Sequence, residues 1–211
     1  MKKLIALAAL IGATSLSFGQ GYVAFNNSST TKVSTLGSAA TPTTGIAVMA
    51  APATATYYFE LMVAPTTTTT ISASTLGNWT AVALGQNSGS GRMIPSASYS
   101  TDSSSVSVAG YSSAATADFA VVGWSASLGT SYAAALAADA AGTTQGYFGI
   151  SAVALDIPLA ALGGPYNSVW GPATSGQIPN MTLDFVPVPE PTTLALAGLG
   201  AAALMIFRRR K

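Results

Sequence analysis

The chain has no cysteine and no histidine among its 211 residues. Without cysteine there are no disulfide staples and no thiol nucleophile, so burial alone must hold the fold. Without histidine, Ser-His-Asp and Cys-His catalysis, histidine metal sites and histidine pH switches are excluded together. Charge is scarce as well, at 7% of residues. Between Gln20 and Pro187 the cations are Lys32 and Arg92, against Glu60, Asp102, Asp118, Asp139, Asp156 and Asp184. No basic patch exists there to neutralise phosphates, which argues against a nucleic-acid partner.

What is present is Ser, Thr, Ala and Gly around short apolar runs. Apolar content of this level is unlike that of an ordinary disordered chain. The middle of the chain, about 170 residues, is long enough for one domain with its own core. Period-two alternation predicts strands. At residues 57–63, Tyr57, Phe59, Leu61 and Val63 share one face and Tyr58, Glu60 and Met62 the other. Further strands are predicted at 21–25, 79–84, 106–111, 118–125, 147–155 and 181–186. The stretch 118–125 reads as central, with both faces apolar. Residues 86–91 and 163–165 read as loops, and the threonine run 66–70 as a loop or edge. One helix is predicted, capped by Ser131, favoured by alanine and ended at Gly142. The fold class that follows is all-β, a β-sandwich of jelly-roll or immunoglobulin-like form with one short helix.

Candidate chemistry in this region is thin. Glycoside hydrolysis needs two carboxylates at a set separation, and nothing in the spacing of the six acids marks a pair. Asp102 in its serine-rich loop reads as a turn residue rather than a calcium ligand. A Ser-Lys hydrolase with Lys32 is set aside on the reading that no S-x-x-K motif occurs. The expectation is a non-enzyme, with no cofactor and no metal. Aromatics could stack on sugar rings if exposed. Trp79 and Trp124 read as core; Trp170 and Tyr166, in a loop-like stretch, are the candidate glycan contacts. Triplets of the form Asn-x-Ser/Thr at Asn26, Asn27, Asn78 and Asn180 read as coincidental.

Both termini read as addresses. Met1-Lys2-Lys3 precedes an apolar run over residues 4–16, then small residues suited to signal-peptide cleavage near Gly19 and Gln20. At the other end come Val188-Pro189-Glu190-Pro191, an uncharged run over 192–207 that includes Leu194 and Phe207, and the cluster Arg208, Arg209, Arg210 and Lys211. Prolines keep the first block extended. Sixteen helical residues reach roughly 24 Å, short for a permanent anchor in a ~30 Å core. The basic cluster stops translocation and stays cytoplasmic. The organisation expected is a signal peptide at 1–19, an extracellular domain at 20–186 and a tail at 187–211.

This tail resembles the PEP-CTERM sorting signal of exopolysaccharide-producing bacteria. The resemblance implies insertion in the inner membrane, processing by the membrane protease-transpeptidase exosortase, and export to the cell envelope or beyond. It points to a surface or extracellular-matrix protein in contact with exopolysaccharide; the alternative is a carbohydrate-binding module. The opening QGYVAFNN, the passage VVGWSASLGTSYAAALA and the strand Gly146-Tyr147-Phe148-Gly149 also look like exported proteins of Verrucomicrobia-type bacteria.

Overall fold

The alternation predicted at residues 57–63 becomes the strand that separates two hydrophobic cores. Tyr57, Phe59, Leu61 and Val63 enter one; Met62 enters the other, with Tyr58 packed against it. The computed structural model describes residues 19–38, 46–52, 56–100, 102–188 and 199. The signal-peptide expectation before residue 19, and Pro189, Glu190, Pro191, Leu194, Phe207, Arg208, Arg209, Arg210 and Lys211 of the tail, lie outside the described residues.

In chain order the strands are β1 (Gln20–Ala24), β2 (Val33–Leu36), β3 (Ile46–Val48), β4 (Tyr57–Ala64), β5 (Thr80–Gly89), β6 (Arg92–Pro95), β7 (Ser105–Ser112) and β8 (Thr116–Ser125). Helix α1 (Tyr132–Ala141) follows, then β9 (Gly146–Ile150), β10 (Ala154–Pro158) and β11 (Met181–Val186). One long sheet has the order β3-β2-β11-β9-β8-β4-β5-β6, with β10 also on β8, while β1 and β7 form a separate ribbon. The β11–β2 pair is parallel and the other pairs are antiparallel.

Strand β8 is central, as its two apolar faces predict. It pairs with β4 along eight residues, and on its other side β9 and β10 follow one another. Phe119 and Val121 join the ribbon-side core; Ala120, Val122 and Trp124 join the core under α1. Each fully buried side chain of this size contributes roughly 1.5–3 kcal/mol. The helix lies where predicted: Ser131 accepts a bond from the Ala134 amide, and Gly142 ends it in the left-handed region at φ 59°.

The long sheet curls until its ends meet. Gly91, just before β6 at one end, accepts from the Val33 amide of β2 (3.0 Å) and donates to the Met49 carbonyl just after β3 (2.9 Å). Gly91 sits at φ 69°, and a Cβ there would stand 2.8 Å from Val48 Cγ1, so only glycine suits this closure. The class is mostly β with one helix, as composition predicts. This strand order does not confirm a jelly-roll or immunoglobulin-like sandwich.

Two loop and strand expectations are corrected. Residues 86–89, predicted as loop, continue β5. Asn87 can be buried there because its Oδ1 accepts from the Tyr57 amide (3.0 Å) and its Nδ2 donates to the Ala50 carbonyl (3.1 Å). The predicted strand 147–155 is split at Ser151. That hydroxyl accepts from the Val121 amide (2.9 Å) in place of a ladder carbonyl and donates to the Ala152 carbonyl (2.7 Å), so the chain leaves β8 and returns as β10.

Candidate functional site

The sorting tail begins where the sheet stops. Strand β11 lies between β2 and β9, and its last paired residue is Val186, opposite Gly146. Pro187 follows at once and is exposed. Proline has no amide to extend the ladder, so pairing ends there for a chemical reason. At the other end Gly19 precedes β1, its carbonyl accepting from the Ser113 amide (2.6 Å), and Gln20 is the exposed first residue of that strand. Among the described residues this is the first backbone bond into the domain, and it is made by Gly19, the last residue of the expected signal peptide.

The acids behave differently from one another. Asp102 closes its own turn: it accepts from the amides of Ser104 and Ser105 and the hydroxyls of Ser100 and Ser105. Burial pushes its carboxyl up, but these bonds outweigh it and hold the group well below the usual carboxylate range. Glu60 is buried on the face of β4 under α1. Burial lifts it to about 7, and Tyr132 of the helix is close enough to feel its charge. The fold brings Asp118 and Asp156 together, a meeting that no spacing in the sequence announces. Asp118 is 1% exposed; its Oδ1 accepts from the Asp156 amide (2.7 Å), and its Oδ2 has no partner. Burial raises Asp118, the Asp156 amide lowers it and the Asp156 charge raises it again. So enclosed, Asp118 offers no oxygen to a polymer substrate. Among the described residues no group of three or more acids gathers.

Ser29-Thr30-Thr31-Lys32 does carry an S-x-x-K spacing, which corrects the expectation that no such motif is present. It lies outside the helix and strands, with Ser29 and Lys32 both exposed.

The tryptophans are packing residues. Trp79, Trp124 and Trp170 are 6%, 0% and 4% exposed. Their indole N–H groups donate to the carbonyls of Thr70 (3.3 Å), Gly129 (2.9 Å) and Phe25 (2.9 Å). For Trp170 this corrects the glycan-contact expectation, because a ring in the core presents no face to a sugar. Tyr166 is half-buried, its hydroxyl accepts from the Gly163 amide (2.8 Å), and its ring lies 6.0 Å from that of Tyr22.

A cleft that sequence reasoning missed lies elsewhere. About 290 Å³ in volume, it is lined by Thr56, Tyr57, Ser125–Ser127, Gln145–Tyr147 and Phe185. The start of β4, the end of β8, the start of β9 and the end of β11 meet there, at the sheet end from which the tail departs. The one sequence signal was an aromatic at each of three strand ends.

Comparison with curated proteins and with solved structures returns no match. The likeness to proteins of Verrucomicrobia-type bacteria is therefore shown by no homologue. Among the described residues no helix is long and apolar enough to cross a membrane. Residues 187–211 do match a known family, the PEP-CTERM protein-sorting motif, and from the first residue beyond the sheet onward this chain carries the signal of an exported protein sorted by exosortase.

Proposed function

We propose that this is a non-enzymatic component of the cell surface or extracellular matrix, delivered by its signal peptide, held briefly in the inner membrane by residues 192–207 and released from that state by exosortase. The observation that carries this reading is the sorting motif at 187–211 starting directly after the last strand. In such an arrangement the Pro-Glu-Pro segment follows the last strand in sequence, so cutting there breaks no pairing of β11. The proposed division is 1–19, 20–186 and 187–211. Absence of histidine and cysteine supports a non-catalytic role, as does the enclosure of Asp118. A hydroxyl-rich, sparsely charged domain suits a hydrated exopolysaccharide layer.

The test is the intact mass of the protein in its native host, wild type beside Glu190→Ala. The reading expects a wild-type product that lacks both the leader and the residues after the Pro-Glu-Pro segment, and full-length Glu190→Ala retained in the membrane. A wild-type chain still ending at Lys211, or a variant processed like wild type, would overturn it.

A further inference from the structure

We propose that the cleft between Tyr57, Ser125, Gln145, Tyr147 and Phe185 is a binding subsite for one neutral pyranose unit of a glycan chain. It deepens the surface reading, and it replaces Trp170 as the place where sugar is met.

Three features favour that occupant. Among the described residues no charged side chain lines the cleft, so an anionic or cationic ligand would find no counter-charge there, whereas a neutral polyol needs none. The aromatic wall is graded: Tyr57 is nearly buried, with its ring 6.2 Å from Tyr147, and Tyr147 meets Phe185 at 5.5 Å in an edge-on arrangement. Tyr147 and Phe185 are half-buried, leaving part of each ring available to the C–H face of a sugar. Around the rings stand neutral hydrogen-bonding groups. Ser125 Oγ accepts from the Tyr147 amide (2.8 Å) and lies 2.9 Å from Ser127 Oγ, while Ser127, Thr56 and Gln145 are exposed. Aromatic walls with a few placed polar groups are the usual make-up of a small-ligand site, and the volume falls at the lower end of the ~300–1,000 Å³ such sites occupy.

The walls are also rigid. Tyr147 is tied by its hydroxyl to the Gly37 carbonyl (3.0 Å) and paired with Phe185 across β9 and β11. A Cβ at Gly146 would stand 2.5 Å from Leu128 Cγ and 2.7 Å from Ser125 Oγ, so the floor depends on glycine. Aromatic walls carried on strands lose little order when a ligand binds.

The experiment is calorimetric titration of the full-length chain, in a detergent without a sugar headgroup, with cellohexaose, maltohexaose and mannohexaose, and with hexagalacturonate as the charged probe. Binding of at least one neutral hexasaccharide in the millimolar range or tighter is expected. Ser127→Ala and Gln145→Ala, both at exposed positions, should each weaken it about three- to tenfold, with unfolding temperatures unchanged. Tyr147→Ala should abolish it; because that change removes packing, the two rim variants carry the test if it fails to fold. No binding of any neutral probe, binding untouched by both rim variants, or preference for the charged probe would each overturn the proposal. None of these results bears on the mass-based sorting test, so the two readings fail separately.

Discussion

Asn27, in the segment between β1 and β2, is bonded to Gly91 where β6 closes the long sheet: the Asn27 side-chain amide donates to the Gly91 carbonyl (2.9 Å), and its Oδ1 accepts from the Met93 amide (2.8 Å). The side chain is 1% exposed. Asn27→Ala should strip the Met93 amide of its side-chain acceptor and leave the Gly91 carbonyl with the Val33 amide alone, at about 1–3 kcal/mol. Asn27→Asp should also destabilise, since a carboxylate keeps the acceptor but loses the donor and adds a buried charge. Urea unfolding of the three proteins measures this; equal midpoints would remove Asn27 from the closure.

Glu60 should make stability fall as pH rises. Its carboxyl goes from 4.5 to about 7 on folding, so the native state holds its proton over a range in which the unfolded chain has lost it. The stabilisation is complete below pH 4.5 and disappears as pH climbs through 7, amounting to about 3 kcal/mol at most. Asp118 is raised too, so its contribution has the same sign, whereas Asp102 is lowered and matters only in stronger acid. Glu60→Gln should flatten most of the slope and be the more stable protein at pH 8. Thermal melts from pH 5 to 8 decide it, and parallel slopes in the two proteins would count against the assignment.

Trp170→Ala should act on folding rather than on sugar binding. Removing a buried indole and its bond to the Phe25 carbonyl should cost about 3–5 kcal/mol. In chains that remain folded at low temperature, hexasaccharide affinity should be within twofold of wild type. Intact stability of the variant would place the ring outside the core.

A chain truncated after Val186 should fold as the longer one does. Val186 is the last residue in register with a neighbour, and Pro187 cannot extend the ladder. Unfolding free energies within about 0.5 kcal/mol of each other are expected. A large loss on truncation would mean that the tail packs on the domain.

Local pattern carried much of this fold. The 57–63 alternation, the doubly buried β8 and the Ser131-to-Gly142 helix need only neighbours in sequence to be recognised. What local pattern could not carry depends on distant partners. Asn87 looks like a loop residue until Tyr57 and Ala50 are beside it. Asn27 looks like a turn starter until the sheet curls Gly91 against it. The pairing of Asp118 with Asp156 and the assembly of Tyr57, Tyr147 and Phe185 likewise depend on strand order, which side-chain period does not encode. Trp170 was misread for a related reason: its Gly- and Pro-flanked segment looks irregular, and irregular backbone can still deliver a side chain to the core. The tail was legible because its information is linear.

The position of β11 has a mechanical consequence. Tension applied at Pro187 runs along the axis of a strand bonded on both sides, to β2 over Met181 to Asp184 and to β9 over Asp184 to Val186. Those bonds lie across the pull and share the load in shear instead of unzipping singly. The opposite terminus enters through β1, which pairs with β7 on one side and is bridged to Ala160 and Ser168 on the other. Load entering at Pro187 is therefore spread over backbone bonds on both sides of one strand before it reaches either hydrophobic core.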